Sequence, residues 1–189
     1  LDGALLNCLL HAAHTPEEPG DEEVEQGREA ARQGDWETAA ACYDKAAQQG
    51  SARGLSLLAA CLYKGRGFTA NRAEARRMWR AAAENGEVLS FVALGDDCAA
   101  RGDAGKALLY YRQGWQNAQK MPDIEYMPQV CLRMVQQELR YVSRRQALRL
   151  LAEAEQGFAI LAREHEPDAE QNLAATRQLM ETLAHQQPA

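Results

Sequence analysis

The chain has 189 residues, of which 46% are hydrophobic and 25% charged, a balance typical of a folded protein rather than a disordered one. Its net charge of −6, from 21 basic and 27 acidic side chains, argues against nucleic acid or an anionic membrane as a general partner. No apolar run approaches the roughly 18 residues that a membrane span needs, so we expect no membrane span. Alanine, leucine, glutamine and glutamate recur while valine, isoleucine and threonine are few, which favours helix over strand.

The first 20 residues predict a short N-terminal capping helix followed by a linker. Leucines 5, 6, 9 and 10 fall at helical spacing and form an apolar stripe. The stretch TPEEPGDEEVE, residues 15–25, then combines two prolines with six carboxylates. Carboxylates near a helix N-terminus offset the helix dipole, so this segment predicts a break and an acidic helix start.

Internal repetition is the strongest signal in the chain. AACYDKAAQQG at 40–50 aligns with RRMWRAAAENG at 76–86, so that Gly50 and Gly86 stand 36 positions apart. KALLYYRQGW at 106–115 continues the pattern at an offset of 32. The repetition predicts three pairs of antiparallel helices, at 21–50, 51–86 and 87–118.

Each predicted pair has the same turn chemistry and the same packing residues. Gly34-Asp35 and Gly102-Asp103 predict a glycine that closes one helix and an aspartate that caps the next. Asn71 and Glu74 have the spacing of a capping box. A small residue followed four positions later by a ring predicts close helix packing in every pair: Ala39 and Tyr43, Ala75 and Trp79, Ala107 and Tyr111.

These spacings resemble the SEL-one-like repeat, a relative of the tetratricopeptide repeat, over residues 21–118 and most strongly over 50–95. The residues that carry the resemblance are Leu58-Ala59, Leu62, Gly65-Arg66-Gly67, Asn71, Glu74-Ala75, Met78-Trp79 and Ala82-Ala83-Glu84-Asn85-Gly86, with Leu94-Gly95 opening the next unit. The resemblance implies an all-α fold, a right-handed α-solenoid with N- and C-terminal capping helices. It also implies that Leu58, Leu62, Trp79, Leu94 and Tyr111 belong to the core.

The remainder, residues 119–189, departs from the repeat but stays helical. Apolar residues at helical spacing predict two helices between 123 and 165, and Glu166-Pro167-Asp168 marks a turn into a last one. We expect a tetratricopeptide-like hairpin and cap that complete one continuous domain.

Catalytic and metal-binding patterns are weak. Gly65-Arg66-Gly67 has neither a preceding strand nor the glycine and lysine spacing of a phosphate loop, so it predicts a wide turn between helices. Cys8, His11 and His14 could share one helix face, but no second cluster completes a zinc site. We therefore predict no enzyme activity, no metal and no cofactor. The five cysteines are odd in number, far apart and mostly flanked by apolar residues, which predicts buried, reduced thiols.

Two surfaces are candidates for binding a protein or peptide. Residues 53–80 hold seven basic side chains against one acid, and Arg72, Arg76 and Arg80 form a stripe that is either a solvated outer face or a docking face for an acidic partner. The family resemblance implies a second surface, a concave groove lined by Arg28, Arg53, Ser56, Tyr63, Lys64 and Asp96.

The resemblance implies a non-catalytic adaptor, and an immunity protein that neutralises one secreted toxic enzyme is the alternative. An enzyme with an unrecognised site is a third hypothesis. The chain starts at Leu1 rather than Met, so we expect a fragment, a mature form or a trimmed chain. Its location stays open between the cytoplasm and the bacterial periplasm or envelope, and its oligomeric state is open too.

Overall fold

The computed structural model of the chain describes residues 18–120, 127–138 and 143–185. These residues form helices joined by turns, without a strand among them. In chain order the helices are α1 Asp21–Arg32, α2 Trp36–Gln48, α3 Ala52–Lys64, α4 Arg72–Glu84, α5 Val88–Ala100, α6 Ala104–Ala118, α7 Met127–Glu138, α8 Arg144–Arg163 and α9 Ala169–His185. The all-α prediction is confirmed for this part of the chain, whereas the predicted apolar helix before residue 18, with Cys8, His11 and His14, lies outside it.

The chain divides into two compact units, one of which is Thr15–Tyr110. Within it each helix from α1 to α5 packs against the next, and the first helices of successive pairs, α1 with α3 and α3 with α5, also touch. This is the stacking of an α-solenoid, and α1–α2 and α3–α4 coincide with the predicted pairs 21–50 and 51–86. The division between the two units falls inside α6, after Tyr110. The predicted bounds 1–20, 21–118 and 119–189, and their union in one continuous domain, stay predictions.

The alanine and ring positions of the repeat form the core, as predicted. Ala39, Ala75 and Ala107 are fully buried, and the rings four residues later are almost as inaccessible. Around Trp79 the core cluster contains Ala59, Ala75 and Leu94, with Leu62 and Tyr63 packed against it at its edge. The predicted core is therefore confirmed, except that Leu62 is only half-buried.

The turns follow the predicted chemistry with one correction. Asp35 accepts a hydrogen bond from the backbone N–H of Thr38, and Asp103 accepts one from that of Lys106. Asn71 caps α4 by accepting from the Glu74 N–H, but the reciprocal half of a capping box is missing. The Asn71 N–H instead donates to the Leu62 carbonyl, 2.9 Å away, and the Glu74 carboxylate pairs with Arg77 at 2.7 Å.

Helices α7, α8 and α9 belong to the second unit, where α8 packs against both α7 and α9. Leu132, Leu151 and Phe158 are buried there. Gly157 lets α8 approach α7 closely, because a Cβ at this position would lie 2.1 Å from Cγ of Pro128. The predicted turn before the last helix is present, and Asp168 adopts a left-handed backbone there with φ of 66°.

Candidate functional site

The six predicted groove residues all lie on the first helices of the pairs. Arg28 is on α1, Asp96 is on α5, and the other four are on α3. Because α3 contacts both α1 and α5, the fold brings these helices side by side. Whether a partner binds there stays a prediction for five of the six residues.

Ser56 is the exception, and its prediction as a groove contact is wrong. The residue is only 3% exposed. Its hydroxyl accepts a hydrogen bond from the Ser90 hydroxyl at 2.8 Å, and its carbonyl accepts one from the Trp79 indole at 3.1 Å. Ser56 therefore joins α3 to α4 and α5 inside the protein and has no surface with which to meet a partner.

A buried carboxylate, Glu87, belongs to the same polar interior. Glu87 is 6% exposed and caps α5 by accepting hydrogen bonds from the backbone N–H groups of Leu89 and Ser90, at 3.2 and 2.7 Å. Burial raises the pKa of Glu87, although hydrogen bonds from Ser90 and Ser56 oppose the rise. Glu87, which the sequence alone would suggest is a solvent-exposed acid, is thus part of the interface between α3 and α5.

Glu87 should make the stability of the protein depend on pH. Its carboxyl binds a proton more tightly in the folded state than in the unfolded chain, where a glutamate pKa is about 4.3. The tighter proton binding stabilises the folded protein. This stabilisation is complete below the pKa that Glu87 has in the unfolded chain, and it is lost as the pH rises through the pKa that Glu87 has in the folded protein. We expect the free energy of unfolding of Glu87→Gln to increase relative to the natural protein between acidic and neutral pH. Urea titrations of both proteins at several pH values measure this difference, in which all other titrating groups cancel; a difference that is constant with pH would contradict it.

The predicted arginine stripe on α4 is not a uniform solvated face. Arg80 is exposed, and the exposed Arg72 places its guanidinium 5.1 Å from the centroid of the Tyr63 ring. Arg76 donates a hydrogen bond to Oδ1 of Asp97 at 3.1 Å, and its side chain is only 25% exposed. The reading of the stripe as a wholly solvated face is therefore wrong at Arg76, which is tied to a buried carboxylate.

Asp97 of α5 contacts side chains of α3 and α4 and that of Arg101, the residue that directly follows α5. Although only 4% exposed, it accepts a hydrogen bond from the Tyr63 hydroxyl at 3.0 Å as well as the one from Arg76. Its other oxygen, Oδ2, lies 2.9 Å from an NH2 nitrogen of Arg101, whose side chain is 55% exposed. We call Tyr63, Arg72, Arg76, Asp97 and Arg101 the Asp97 cluster. It holds three guanidinium groups and one carboxylate, an excess of two positive charges.

The electrostatics of the Asp97 cluster follow from this arrangement. Burial, together with the hydrogen bond to Asp97 and the charge of Asp97, raises the pKa of Tyr63, so the phenol stays protonated and acts as a donor. The charge of Asp97 also raises the pKa of Arg101. Both shifts favour the protonated forms of Tyr63 and Arg101 beside Asp97.

The Asp97 cluster joins two candidates that the sequence had kept apart. Tyr63 was predicted as a groove residue, and Arg72 and Arg76 as parts of an arginine face. In the structure Arg72 contacts the Tyr63 ring, and both Tyr63 and Arg76 donate hydrogen bonds to Asp97. Asp97 and Arg101 were not predicted at all. A signal for both was present, because Asp97 stands 36 positions after the core residue Cys61, and Arg101 follows it at the i, i+4 spacing of a helical ion pair.

The glycine-spaced loop between α3 and α4 is an interhelical turn, as predicted. Gly65 and Gly67 both have positive φ, at 72° and 76°. Gly67 passes so close to α2 that a Cβ would lie 2.4 Å from the carbonyl oxygen of Trp36. The guanidinium of Arg66 stacks on the Trp36 ring with 4.1 Å to its centroid, so this arginine fixes the loop to the first pair.

The described cysteines are free thiols, and three of them, Cys61, Cys98 and Cys131, are buried as predicted. Cys42 is a correction, since it is half-buried. Burial raises the pKa of Cys61 to about 11, which keeps its thiol protonated and weakly reactive.

Over residues 18–120, 127–138 and 143–185, no group of three or more histidine, cysteine, aspartate and glutamate side chains is arranged to hold a metal ion. Over the same ranges no helix combines the length and the apolar character that crossing a bilayer requires.

Comparison with known proteins gives a similarity of fold to solved structures. No protein-family model matches the chain, and no curated protein matches it. Among solved structures, the fold is similar to that of a Sel1 repeat protein from Oxalobacter formigenes, with a TM-score of 0.44 and 18% sequence identity, over 100% of this chain and 99% of that one.

Proposed function

We propose that this protein is a non-catalytic interaction scaffold that binds an acidic segment of a partner protein on the basic surface of its second helix pair. The observation that carries the proposal is the segregation of charge along the stack. The pair α3–α4, residues 52–84, holds seven basic and two acidic side chains, whereas α1–α2, residues 21–48, holds three basic and eight acidic ones. A chain of net charge −6 thus concentrates positive charge on one pair of helices.

The positive charge is also ordered. Arg72 stacks on Tyr63, and Arg76 is hydrogen-bonded to Asp97, so two of the arginines on α4 are held by contacts that also involve α3 and α5. Ordering long side chains before binding reduces the entropy lost when a partner docks. Complementary charge also speeds association and selects partners by the sign of their charge. An acidic protein segment is the class of partner that such a surface fits.

The test is binding of a fluorescein-labelled peptide with a run of glutamates, measured by fluorescence anisotropy, against a glycine–serine peptide of equal length. The double variant Arg72→Glu/Arg80→Glu should bind the glutamate peptide at least about tenfold more weakly, because opposite charges are replaced by like charges. Both side chains are exposed, so helicity should be unchanged, and loss of the contact between Arg72 and the Tyr63 ring should lower the free energy of unfolding by no more than about 1 kcal/mol. Arg76 is left unchanged in this test, since its contact with Asp97 would mix stability with binding.

The matched control is Arg145→Glu/Arg149→Glu on α8, which has the same change in net charge and also replaces two exposed arginines. It should bind within about twofold of the natural protein, because the proposed binding surface on α3–α4 is left unchanged. Equal loss in both double variants would mean that net charge alone attracts the peptide. Absence of binding by the natural protein would refute the proposed function.

A further inference from the structure

We propose that Asp97 is a positioning residue whose buried carboxylate orients Arg76 and Arg101 into an anchor for a carboxylate side chain of the acidic partner segment. This inference rests on the proposed function and deepens it, because it names the point on the basic surface at which the partner is held. It also adds Arg101, which directly follows α5, to the arginines of α4.

The two oxygens of Asp97 contact two arginines. Oδ1 accepts hydrogen bonds from Arg76 on α4 and from Tyr63 on α3. Oδ2 accepts no hydrogen bond from the described residues but forms an ion pair at 2.9 Å with Arg101, the residue that directly follows α5. The backbone carbonyl of Asp97 accepts a further hydrogen bond from Nε of Arg101, at 3.3 Å. Each guanidinium is therefore fixed on the side that faces Asp97.

The exposed sides of the same groups remain for a ligand. A guanidinium carries five N–H donors in a planar fork, and Asp97 engages only some of them on either arginine. Asp97 itself is too buried to meet the partner, so an approaching anion meets the arginines and not the aspartate. With Arg72 held over Tyr63, three guanidinium groups belong to one cluster of side chains. Guanidinium forks match the geometry of carboxylates, which the acidic segment supplies.

The Asp97→Asn variant distinguishes positioning from simple charge attraction, because the two predict opposite changes in the affinity for the glutamate peptide. Removing the negative charge makes the cluster more positive, so charge attraction alone predicts tighter binding of the glutamate peptide. Positioning predicts the opposite, because an amide holds the arginines less firmly and one of its two groups offers them a donor instead of an acceptor. We expect binding about fivefold to tenfold weaker, a change within the usual range for losing a charge-assisted contact. We also expect the dissociation constant to depend less steeply on salt concentration, since fewer arginines would contact the peptide at the same time.

A second variant keeps the inference testable if Asp97→Asn does not fold. Arg101→Gln changes a half-exposed side chain and leaves Asp97 its hydrogen bonds from Tyr63 and Arg76. It should weaken peptide binding about tenfold, whereas Arg149→Gln on α8, which makes the same change in charge outside the proposed anchor, should have less than a twofold effect.

The possible outcomes are distinct. If the natural protein binds the glutamate peptide but folded Asp97→Asn binds it equally or more tightly, the positioning role is wrong and the proposed function stands. If Arg101→Gln binds like Arg149→Gln, the anchor does not include Arg101 and the inference is wrong. If the natural protein does not bind the peptide, both the function and the inference are wrong.

Discussion

Trp79→Ala should lower the free energy of unfolding by roughly 3–5 kcal/mol, the range for truncating a large buried aromatic side chain. Trp79 is buried among Ala59, Ala75 and Leu94, and its ring lies 5.0 Å from that of Tyr63, centroid to centroid. The small neighbours cannot move far enough to fill the space, so a cavity adds to the lost hydrophobic burial. Urea unfolding followed by far-UV circular dichroism measures the loss without relying on tryptophan fluorescence.

Trp79→Phe is the control for this prediction. Phenylalanine keeps most of the buried ring but cannot donate the hydrogen bond that Trp79 makes to the Ser56 carbonyl. We expect it to cost about 1–2 kcal/mol, from one lost hydrogen bond and a small change in volume. A Trp79→Ala protein with the urea midpoint of the natural chain would mean that the ring is not a core residue.

The core and the order of the helices were predictable because the packing residues recur in each repeat of the sequence. A residue that touches its neighbours in one pair recurs at the same place in the next, so Ala39 and Tyr43 predict Ala75 and Trp79. Glycines at the turns follow the same logic, since only a left-handed residue closes these helices tightly. Local chemistry alone was less reliable, as Glu74 shows by pairing with Arg77 instead of completing a capping box.

The polar interior was not predictable in the same way. Acids and arginines in a helical sequence usually lie in solvent, and burial becomes favourable for them only when partners from other helices are in place. Tyr63 and Asp97 are 34 residues apart, and so are Ser56 and Ser90. Those distances along the chain span two helices, so the partners are not apparent until the pairs are stacked. The sequence analysis did not predict two buried polar residues. One is Asp97, which stands where the preceding repeat has the buried Cys61, and the other is Ser56, which lies in a polar interface between helices.

Arg76→Glu should be the most disruptive single change among the surface arginines of α4. It removes a partner of buried Asp97 and places a second carboxylate beside it. Breaking a buried ion pair from one side costs about 3–5 kcal/mol, and we expect a loss near 3 kcal/mol because Arg76 is partly exposed and Arg101 still neutralises Asp97. Binding of the glutamate peptide should fall as well, because the variant loses an anchoring donor and gains a repelling charge.

The control for Arg76→Glu is Arg77→Glu, which makes the same change in charge one position along the same helix. Arg77 is 78% exposed and pairs with Glu74 in the first turn of the same helix, so replacing it with glutamate should change the free energy of unfolding by less than about 1 kcal/mol. A double-mutant cycle with Arg76→Gln and Asp97→Asn then isolates the contact itself, and we expect a coupling energy of at least about 1 kcal/mol. Coupling near zero, or equal losses in Arg76→Glu and Arg77→Glu, would show that Arg76 is an ordinary solvated arginine and that Asp97 does not order the basic surface.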